Sequence, residues 1–319
     1  MKIEEKQLLK ALLSIPANNV FYFENLENRL SFRPKNCFCK CLVECKTPNA
    51  LLQTLRILKN PNAHAKTFKQ TPIKHYILGN GSNTIVADFY NGYLVKLGEN
   101  FKKIKRLKSH GDHIQLEVGA GVNMFVLNNY LKQKGIGGLE WSYGIPGSVG
   151  GAVIMNAGAF GEEFGKFVKK VKILKHGKYI WVDSFKFAYR NSNFKKDKSI
   201  VVAVVLQLNK SNSLAVEEGQ KYYLEKRKSS QPYEYASAGS VFKRIIKKDK
   251  IIYPAKLIDN LGLKGVTIGQ AEVSTKHSGF IVNLGNASGC DYVRLAEKLK
   301  TEVREKHGIT LECEVEILE

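Results

Sequence analysis

The chain has 319 residues, of which 44% are hydrophobic and 25% charged, and this composition is typical of a globular protein with two or three domains. The sequence has no run of about 18 apolar residues, so it predicts no membrane-spanning helix. The formal net charge of +21 indicates solvated lysine-rich surfaces and an attraction for anionic substrates. Because no nucleic-acid-binding motif accompanies this charge, we expect no nucleic-acid partner.

The first predicted element is a short amphipathic helix within residues 1–20, where Leu and Ala recur at helical spacing. Charged residues interrupt this segment, which therefore lacks the continuous apolar region of a signal peptide, and we expect a cytoplasmic protein. Basic residues cluster in three later segments, 101–108, 168–178 and 241–250. The first two segments alternate with apolar residues, as amphipathic strands with a solvated lysine face do.

Four of the six cysteines lie close together in NCFCKCLVEC, at positions 37, 39, 41 and 45. On a strand these side chains share one face, and we expect them to be small buried hydrophobes. Zinc sites usually contain C-x2-C pairs, which this segment lacks, so metal or redox chemistry is the alternative interpretation. Cys290 and Cys313 are isolated, and the sequence predicts no disulfide framework.

The middle of the chain predicts a mixture of helices and strands from its apolar spacing and its capping residues. In chain order these are a helix over 46–60 that begins at Thr47 and Pro48, strands over 76–78 and 84–87, a strand within 113–124, a helix over 125–134 that ends at Gly135, and a continuously apolar strand over 200–208.

The polar residues 209–219 mark a plausible domain boundary. Beyond them we expect a helix that Asp291 caps and Gly308 closes. Its predicted apolar face consists of Val293, Ala296, Leu299 and Val303. The segment 310–318 alternates between apolar residues and glutamates, which predicts a strand. Because helices and strands do not follow a regular βαβ order, the pattern indicates an α+β fold.

Two glycine-rich segments stand out. Residues 144–161 read GIPGSVGGAVIMNAGAFG, and their six glycines lie among residues that a core would accept. Turns would explain the glycines, and so would close approach of the backbone to a flat ligand. Residues 78–83, LGNGSN, are not the dinucleotide fingerprint, because Thr84 takes the third glycine position and a strand follows. This loop is either a tight hairpin or a pyrophosphate-binding loop.

Six motifs follow one another in the sequence, and together they resemble the UDP-N-acetylenolpyruvoylglucosamine reductase family from about residue 30 onward. The motifs are ILGNGSNTIVAD, GLEWSYGIPGSVGGAVIMNAGAFG, FAYRNSNF, QPYEYASAGSVFKR, LIDNLGLKGVTIGQAEVSTKHSGFIVN and GITLECEVEIL.

This resemblance implies an FAD-binding domain of the vanillyl-alcohol-oxidase type over residues 1–208, with subdomains of about 1–98 and 99–208, and an α+β substrate-binding domain over 209–319. It implies FAD bound without a covalent link, NADPH as co-substrate, a UDP-sugar substrate, no metal site and a monomer. The cofactor-binding residues that it implies are Gly79, Asn80, Gly81, Ser82, Asn83, Pro146, Gly147, Ser148, Gly150, Gly151 and Asn156.

The family reaction reduces the enolpyruvyl group of UDP-N-acetylglucosamine enolpyruvate and gives UDP-N-acetylmuramate, a precursor of peptidoglycan. NADPH reduces FAD, and flavin N5 then delivers hydride to C3 of the enolpyruvyl group. Because negative charge builds toward C2 and its carboxylate, the site needs a cation and a proton donor.

The same resemblance assigns three catalytic residues. Arg190, in YRNSNF, matches the arginine that faces the substrate carboxylate. Ser240, in SAGSVF, matches the serine that protonates C2. Glu314, in LECEV, matches a glutamate that stabilises the intermediate or relays the proton. Residue spacing alone does not distinguish Glu314 from Glu312 and Glu316.

Some residues differ from the family pattern. Ile245 replaces a common proline, Gly279 replaces a polar residue, and Arg244 replaces a common asparagine that contacts the substrate diphosphate. We expect Arg244 to meet that diphosphate as a charge. We assign no catalytic role to His277.

Two other functions stay open at this point. One is an FAD oxidase of the same superfamily that acts on another sugar or alcohol. The other is a basic nucleic-acid-binding protein without enzymatic activity.

Overall fold

The computed structural model describes residues 3–61, 72–247 and 250–319, so residues 1–2 of the predicted N-terminal helix and residues 248–249 of the third basic segment lie outside the described residues. The chain forms two compact units. The first unit consists of Met1–Phe23, Lys40–Gly79 and Gly92–Leu224, and the second of Glu24–Cys39, Asn80–Asn91 and Glu225–Glu319. By packing, the last change of unit along the chain falls at residue 224, whereas the sequence predicts a single domain boundary at residue 208.

The helices of the described residues are α1 (Ile3–Leu13), α2 (Pro48–Lys59), α3 (Met124–Lys134), α4 (Val149–Met155), α5 (Asn193–Lys196), α6 (Ser213–Ser230), α7 (Pro254–Asn260) and α8 (Gly289–His307). None of these helices is long and apolar enough to cross a membrane.

The strands of the described residues are β1 (Asn18–Asn25), β2 (Phe38–Cys45), β3 (His75–Ile77), β4 (Thr84–Val86), β5 (Phe89–Leu97), β6 (Ile104–His110), β7 (His113–Gly119), β8 (Ile136–Gly137), β9 (Gly158–Ala159), β10 (Glu162–Glu163), β11 (Val168–Lys175), β12 (Lys178–Val182), β13 (Phe187–Ala188), β14 (Asn191–Ser192), β15 (Ile200–Lys210), β16 (Ala236–Ser240), β17 (Ile245–Lys247), β18 (Lys250–Ile252), β19 (Thr267–Ile268), β20 (Ala271–Val273), β21 (Phe280–Asn283) and β22 (Glu316–Leu318).

The central sheet of the first unit has the strand order β12-β11-β15-β7-β6, and β8 also pairs with β15. The predicted apolar strand 200–208 is confirmed as β15, which is antiparallel to both β11 and β7. Val204 of this strand packs into a core with α3 and α4, whereas Val202 packs into a second core with α1 and α2. Burial on both faces explains why this strand is apolar along its length rather than alternating.

Other predicted elements of the first unit are confirmed with small changes. Helix α2 begins after Thr47, whose hydroxyl accepts a hydrogen bond from the Ala50 amide, and α3 ends at Gly135 in the left-handed conformation. The basic segment 168–178 forms β11, but a bulge between Val168 and Lys170 interrupts its alternation. The basic segment 101–108 contributes the start of β6.

The predicted burial of the cysteine cluster is confirmed. Cys37, Cys39, Cys41 and Cys45 are completely buried and free of disulfides, in or beside β2. Burial raises the pKa of the Cys37 thiol to about 12 and that of Cys45 to about 11, so both thiols are neutral at pH 7. Within the described ranges, no group of three or more metal-ligating side chains is found.

The hairpin interpretation of residues 76–87 is wrong. Strand β3 pairs in parallel with β5, and β4 pairs in parallel with β22. The LGNGSN loop therefore connects strands of two different sheets instead of closing two neighbouring ones. Two parallel pairings need partners further along the chain, which two short apolar runs on either side of a glycine turn do not reveal.

The second unit packs α8 against the antiparallel sheet β16-β21-β20-β19. Helix α8 ends at Gly308, as predicted, but its N-cap is Ser288 and not Asp291. Asp291 instead accepts from the Ser288 amide and completes a capping box with the Ser288 hydroxyl. The apolar face of α8 is buried and includes Ala296, Leu299 and Val303, with Val293 only partly buried.

The predicted strand 310–318 is shorter than expected. Only Glu316–Leu318 form β22, because the chain bends at Glu314 and Val315. Upstream of the bend, Cys313 forms an isolated bridge with Phe242. The segment thus contacts one neighbour before the bend and a different one, β4, after it.

Candidate functional site

The LGNGSN loop has glycines at positions where the backbone passes close to other groups. A Cβ atom at Gly81 would lie 2.3 Å from the carbonyl oxygen of Arg29, and Gly81 has a φ of 66°. A Cβ atom at Gly79 would lie 2.7 Å from the hydroxyl of Ser148. Gly79 therefore lies directly beside the start of α4, within the first unit.

The glycine-rich segment 144–161 has a mixed surface. Ser148 caps α4 by accepting a hydrogen bond from the Gly151 amide at 3.2 Å. Gly150 contacts the protein itself: its amide donates to the Ala120 carbonyl at 2.8 Å, and a Cβ atom would lie 2.9 Å from the Ala120 Cβ. Gly151 is exposed, and a Cβ atom there would meet only Ser148, at 3.4 Å. Packing against Ala120 explains why residue 150 is a glycine. At the exposed Gly151 the missing side chain leaves the backbone accessible to a ligand.

This open backbone fits a flat cofactor. Pro146 and Gly151 are exposed, and the backbones of Gly79 and Gly151 lie next to the buried hydroxyl of Ser148, so this part of the first unit carries little side-chain volume. Such a surface allows an aromatic ring system to approach the main chain. Its N–H groups and its hydroxyl can donate hydrogen bonds to the oxygens of a pyrophosphate. The residues present are therefore compatible with FAD.

Asn156 has a different place from the one expected. It ends α4 in the left-handed conformation, with a φ of 45°, and its side chain is completely buried. The amide donates to Glu163 Oε2 at 2.8 Å and to the Ala188 carbonyl at 3.0 Å, and its oxygen accepts from the Gly165 amide at 2.9 Å. Because these bonds engage the whole amide, we reassign Asn156 from the cofactor surface to the frame of the neighbouring turn.

That neighbouring turn contains Arg190. It connects β13 to β14, and Arg190 has a φ of 51°, which few residues other than glycine adopt. The Arg190 guanidinium donates to the Gly158 carbonyl at 2.9 Å and lies 5.2 Å from the ring centre of Tyr189. Ser192 anchors the turn to α4 by donating to the Ile154 carbonyl at 2.7 Å. Arg190 is thus a half-buried cation held in a fixed place.

Ser240 lies at the end of β16 in the second unit, opposite Phe280 of β21. The register shifts between Ser237 and Ser240, and Gly239 supplies the left-handed residue of this irregularity, with a φ of 81°. The next residue, Val241, donates its amide to the Gly279 carbonyl at 2.9 Å. Ser240 is half-buried, and its strand is fixed on both sides of the bulge.

Glu314 lies beside the Ser240 strand. Its amide donates to the Val241 carbonyl at 2.8 Å, so the two predicted catalytic residues of the second unit are on adjacent segments. The structure also separates Glu314 from its neighbours in sequence. Glu312 is exposed and forms an ion pair with Lys243, whereas Glu316 is the first residue of β22. Glu314 alone lies at the bend, half-buried.

The structure explains two departures from the family pattern. A Cβ atom at Gly279 would lie 2.8 Å from His277 Cε1, and His277 Nδ1 accepts the Gly279 amide at 3.0 Å. Burial holds the pKa of His277 below its usual range, so the ring is neutral at pH 7 and Nδ1 can accept. Ile245 begins β17 and pairs with Ile252, at a position where proline would remove a strand donor.

The structure thus places Ser240 and Glu314 on adjacent segments of the second unit. It places Arg190 in the first unit, in a turn that hydrogen bonds connect to α4. The half-buried Arg244 lies just before β17. Sequence reasoning missed the framing roles of Asn156 and Ser192. The only sequence signal for them was their presence in the motifs that carried the resemblance, because hydrogen bonds between distant segments leave no local pattern.

Two family models match the chain. One, described as an FAD binding domain, matches residues 40–182, and the other, described as the C-terminal domain of UDP-N-acetylenolpyruvoylglucosamine reductase, matches residues 231–318. Fold and site together define an FAD-dependent oxidoreductase with a second, C-terminal α+β domain. The expected α+β fold, with an FAD-binding domain followed by a C-terminal domain of this reductase type, is confirmed.

Individual relatives agree with the models. The chain is 41% identical to the UDP-N-acetylenolpyruvoylglucosamine reductase of Thermotoga petrophila over 76% of this chain and 83% of the relative. It is 35% identical to that of Thermosipho melanesiensis, over 98% and 99% of the two chains. The crystal structure of the reductase from Thermus caldophilus is 28% identical, with a TM-score of 0.74 over 95% of this chain and 99% of that one. The chain belongs to the UDP-N-acetylenolpyruvoylglucosamine reductase family, as the sequence motifs indicated.

Proposed function

We propose that this chain reduces UDP-N-acetylglucosamine enolpyruvate to UDP-N-acetylmuramate with NADPH, in the cytoplasm and as a monomer, during synthesis of the peptidoglycan precursor of the cell wall. The observation that carries this proposal is the adjacency of the Ser240 and Glu314 segments, joined by a hydrogen bond of 2.8 Å between the Glu314 amide and Val241. Adjacent segments that carry a hydroxyl residue and a carboxyl residue suit a reaction in which a carbon atom must receive a proton.

The groups that would hold FAD are the exposed Pro146 and Gly151, the buried hydroxyl of Ser148 with Gly147 and Gly150, and the backbone of Gly79. These groups support the proposal because they combine open backbone with hydroxyl and amide donors. When bound, FAD supplies hydride from N5 for C3 of the enolpyruvyl group, with NADPH as the source of electrons.

Arg190 binds the carboxylate of the enolpyruvyl group in this proposal. The planar guanidinium suits a carboxylate, and its charge opposes the negative charge that builds toward C2. The bond to Gly158 and the contact with Tyr189 support this role, because they fix the guanidinium before substrate arrives. A fixed cation loses less free energy to reorganisation than a mobile surface arginine does.

Ser240 donates the proton to C2, and Glu314 stabilises the intermediate or relays the proton. A serine hydroxyl is a weak acid in water, so this role needs a shielded position beside developing negative charge. The half-buried placement of Ser240 at a strand bulge and the half-buried bend of Glu314 support it.

The test is a flavin and turnover assay on the purified protein. We expect the denatured supernatant to release FAD, and we expect NADPH oxidation that depends on the enolpyruvyl sugar nucleotide. Ser240→Ala should lower turnover by roughly 10²- to 10⁴-fold, because it removes the proton donor. Ser237→Ala, on the same strand, is the matched control and should retain turnover within about twofold of the wild type. Bound flavin without oxidation of NADPH that depends on the sugar nucleotide would favour an FAD oxidase. Nucleic-acid binding without bound flavin would favour a nucleic-acid-binding protein.

Arg244 contacts the substrate diphosphate in this proposal. Arg244→Ala should raise the KM for the sugar nucleotide by about 10-fold, since a charge-assisted contact to phosphate is lost, while flavin reduction by NADPH continues. The KM and the rate of flavin reduction are measured separately, and Lys243→Ala, whose ammonium already pairs with Glu312, is the control. An unchanged KM in Arg244→Ala would contradict this assignment.

A further inference from the structure

Asn83 forms two hydrogen bonds with the segment that contains Glu314. Its side-chain Nδ2 donates to the Glu314 carbonyl at 3.0 Å, and its own carbonyl accepts the Glu316 amide, also at 3.0 Å. The partner of the side chain is a carbonyl oxygen, which only accepts, so the donor end of the amide must face it. The two bonds lie on either side of Val315, the second residue of the bend.

The strands that follow each partner reinforce this contact. Thr84 pairs with Glu316 at the start of the parallel pair β4–β22, and Ile85 and Val86 are completely buried. Val315, at the bend, is also buried. The paired strand β22 and the buried Val315 fix the chain on the C-terminal side of Glu314. The remaining conformational freedom of Glu314 is rotation of the two peptide groups that flank it.

These rotations are the ones that Asn83 restrains. The Glu314 amide is fixed by Val241, next to Ser240, and the Glu314 carbonyl is fixed by Asn83. Both peptide groups of Glu314 are therefore engaged, one toward the Ser240 strand and one toward the LGNGSN loop. The direction in which the Glu314 side chain leaves the backbone depends on both bonds.

We propose that Asn83 is a positioning residue for Glu314, and that its side chain serves the protein in place of the cofactor contact that the sequence predicted for it. This inference rests on the proposed function of Glu314. It makes Asn83 of the LGNGSN loop and the backbone of Glu314, next to the Ser240 strand, parts of one hydrogen-bonded assembly within the second unit.

The first test needs no cofactor. We compare hydrogen exchange of the peptide covering residues 311–318 in the wild type, in Asn83→Ala and in the matched loop variant Ser82→Ala. Asn83→Ala should increase exchange of this peptide by about 10-fold or more, since the side chain that restrains the Glu314 carbonyl is lost. Ser82→Ala should leave this peptide unchanged. Equal exchange in all three proteins would overturn the inference, whatever the enzyme does.

The second test uses flavin-loaded protein that has been reduced. Reoxidation by the enolpyruvyl sugar nucleotide should be about 10- to 100-fold slower in Asn83→Ala, because a misplaced catalytic group reduces the rate to this extent. In a Glu314→Gln background the same change should add less than about twofold, since residues that act as a unit are not additive. Asn83→Asp, which keeps the size but turns an acceptor toward the carbonyl, should behave like Asn83→Ala.

Two results would be failures of different kinds, and a third supports the inference. If Asn83→Ala only raises the dissociation constant of FAD and its rate effect multiplies with that of Glu314→Gln, Asn83 contacts cofactor and the inference is wrong. If the wild-type protein is not reoxidised by the sugar nucleotide, the proposed function fails, and the exchange experiment still decides whether Asn83 restrains the bend. If exchange and rate both change as expected, and the pH profile of reoxidation shifts with Asn83→Ala, the inference stands.

Discussion

At the scale of single residues, bare backbone positions in this molecule have two different causes. Gly150 and Gly279 are bare because another part of the protein occupies the volume of a side chain, Ala120 in one case and the His277 ring in the other. Gly151 is bare beside open space. Glycine content alone therefore overstates the size of a ligand surface, and only the exposed positions contribute to it.

Gly279→Ala should destabilise the protein. The new methyl group would lie 2.8 Å from His277 Cε1 and 3.1 Å from the Ala255 Cβ, so the imidazole must move and release the Gly279 amide. We expect a loss of about 1–3 kcal/mol, seen as a lower thermal midpoint, with slower turnover because Gly279 pairs with the residue after Ser240.

The double variant Gly279→Ala with His277→Ala tests the cause. Removal of the ring gives the methyl group room, so the double variant should be more stable than the two separate losses predict. Thr275→Ala, at an exposed position in the same turn, is the control. Strict additivity of the two losses would contradict the steric explanation.

At the scale of elements, short segments position several of the proposed functional residues. Helix α4 has seven residues, yet its first end presents Ser148 beside the open backbone and its last end carries Asn156 and the anchor of the Arg190 turn. The bend at Glu314 interrupts what would otherwise be one alternating strand. The alternation correctly predicted that Leu311 and Val315 are buried. It could not show that the segment pairs with Phe242 before the bend and with β4 after it.

Helix α8 offers a test of an element boundary. Ser288→Ala removes the hydroxyl that accepts the Asp291 amide at 3.0 Å and should lower the stability of the protein by about 1 kcal/mol, or the thermal midpoint by about 2–4 °C. Thr301→Ala, exposed on the same helix, is the matched control and should change the midpoint by less than half as much. Equal effects would show that the capping box does not set the start of this helix.

At the scale of the whole molecule, sequence reasoning reached the elements and the family but not the division into units. Apolar spacing predicted α2, α3, β15 and α8, because each has a local pattern and a local end signal. It could not predict that residues 24–39 and 80–91 belong with residues 225–319, since these contacts join distant segments. Arg190, Ser240 and Glu314 were predicted as catalytic residues only from the resemblance of their motifs, because an arginine turn or a glutamate on a strand has no distinctive spacing.

The pairing of β4 with β22 has a consequence for how the protein is made. Asn83 and its partner Glu314 are 231 positions apart, so on a ribosome the loop leaves the exit tunnel long before the segment that completes it has been translated. At roughly 5–20 residues per second, buried strand residues such as Ile85 wait on the order of ten seconds or more without their neighbour. The first unit can meanwhile assemble most of its central sheet, whereas the residues around β4 stay without their partners until the end of translation.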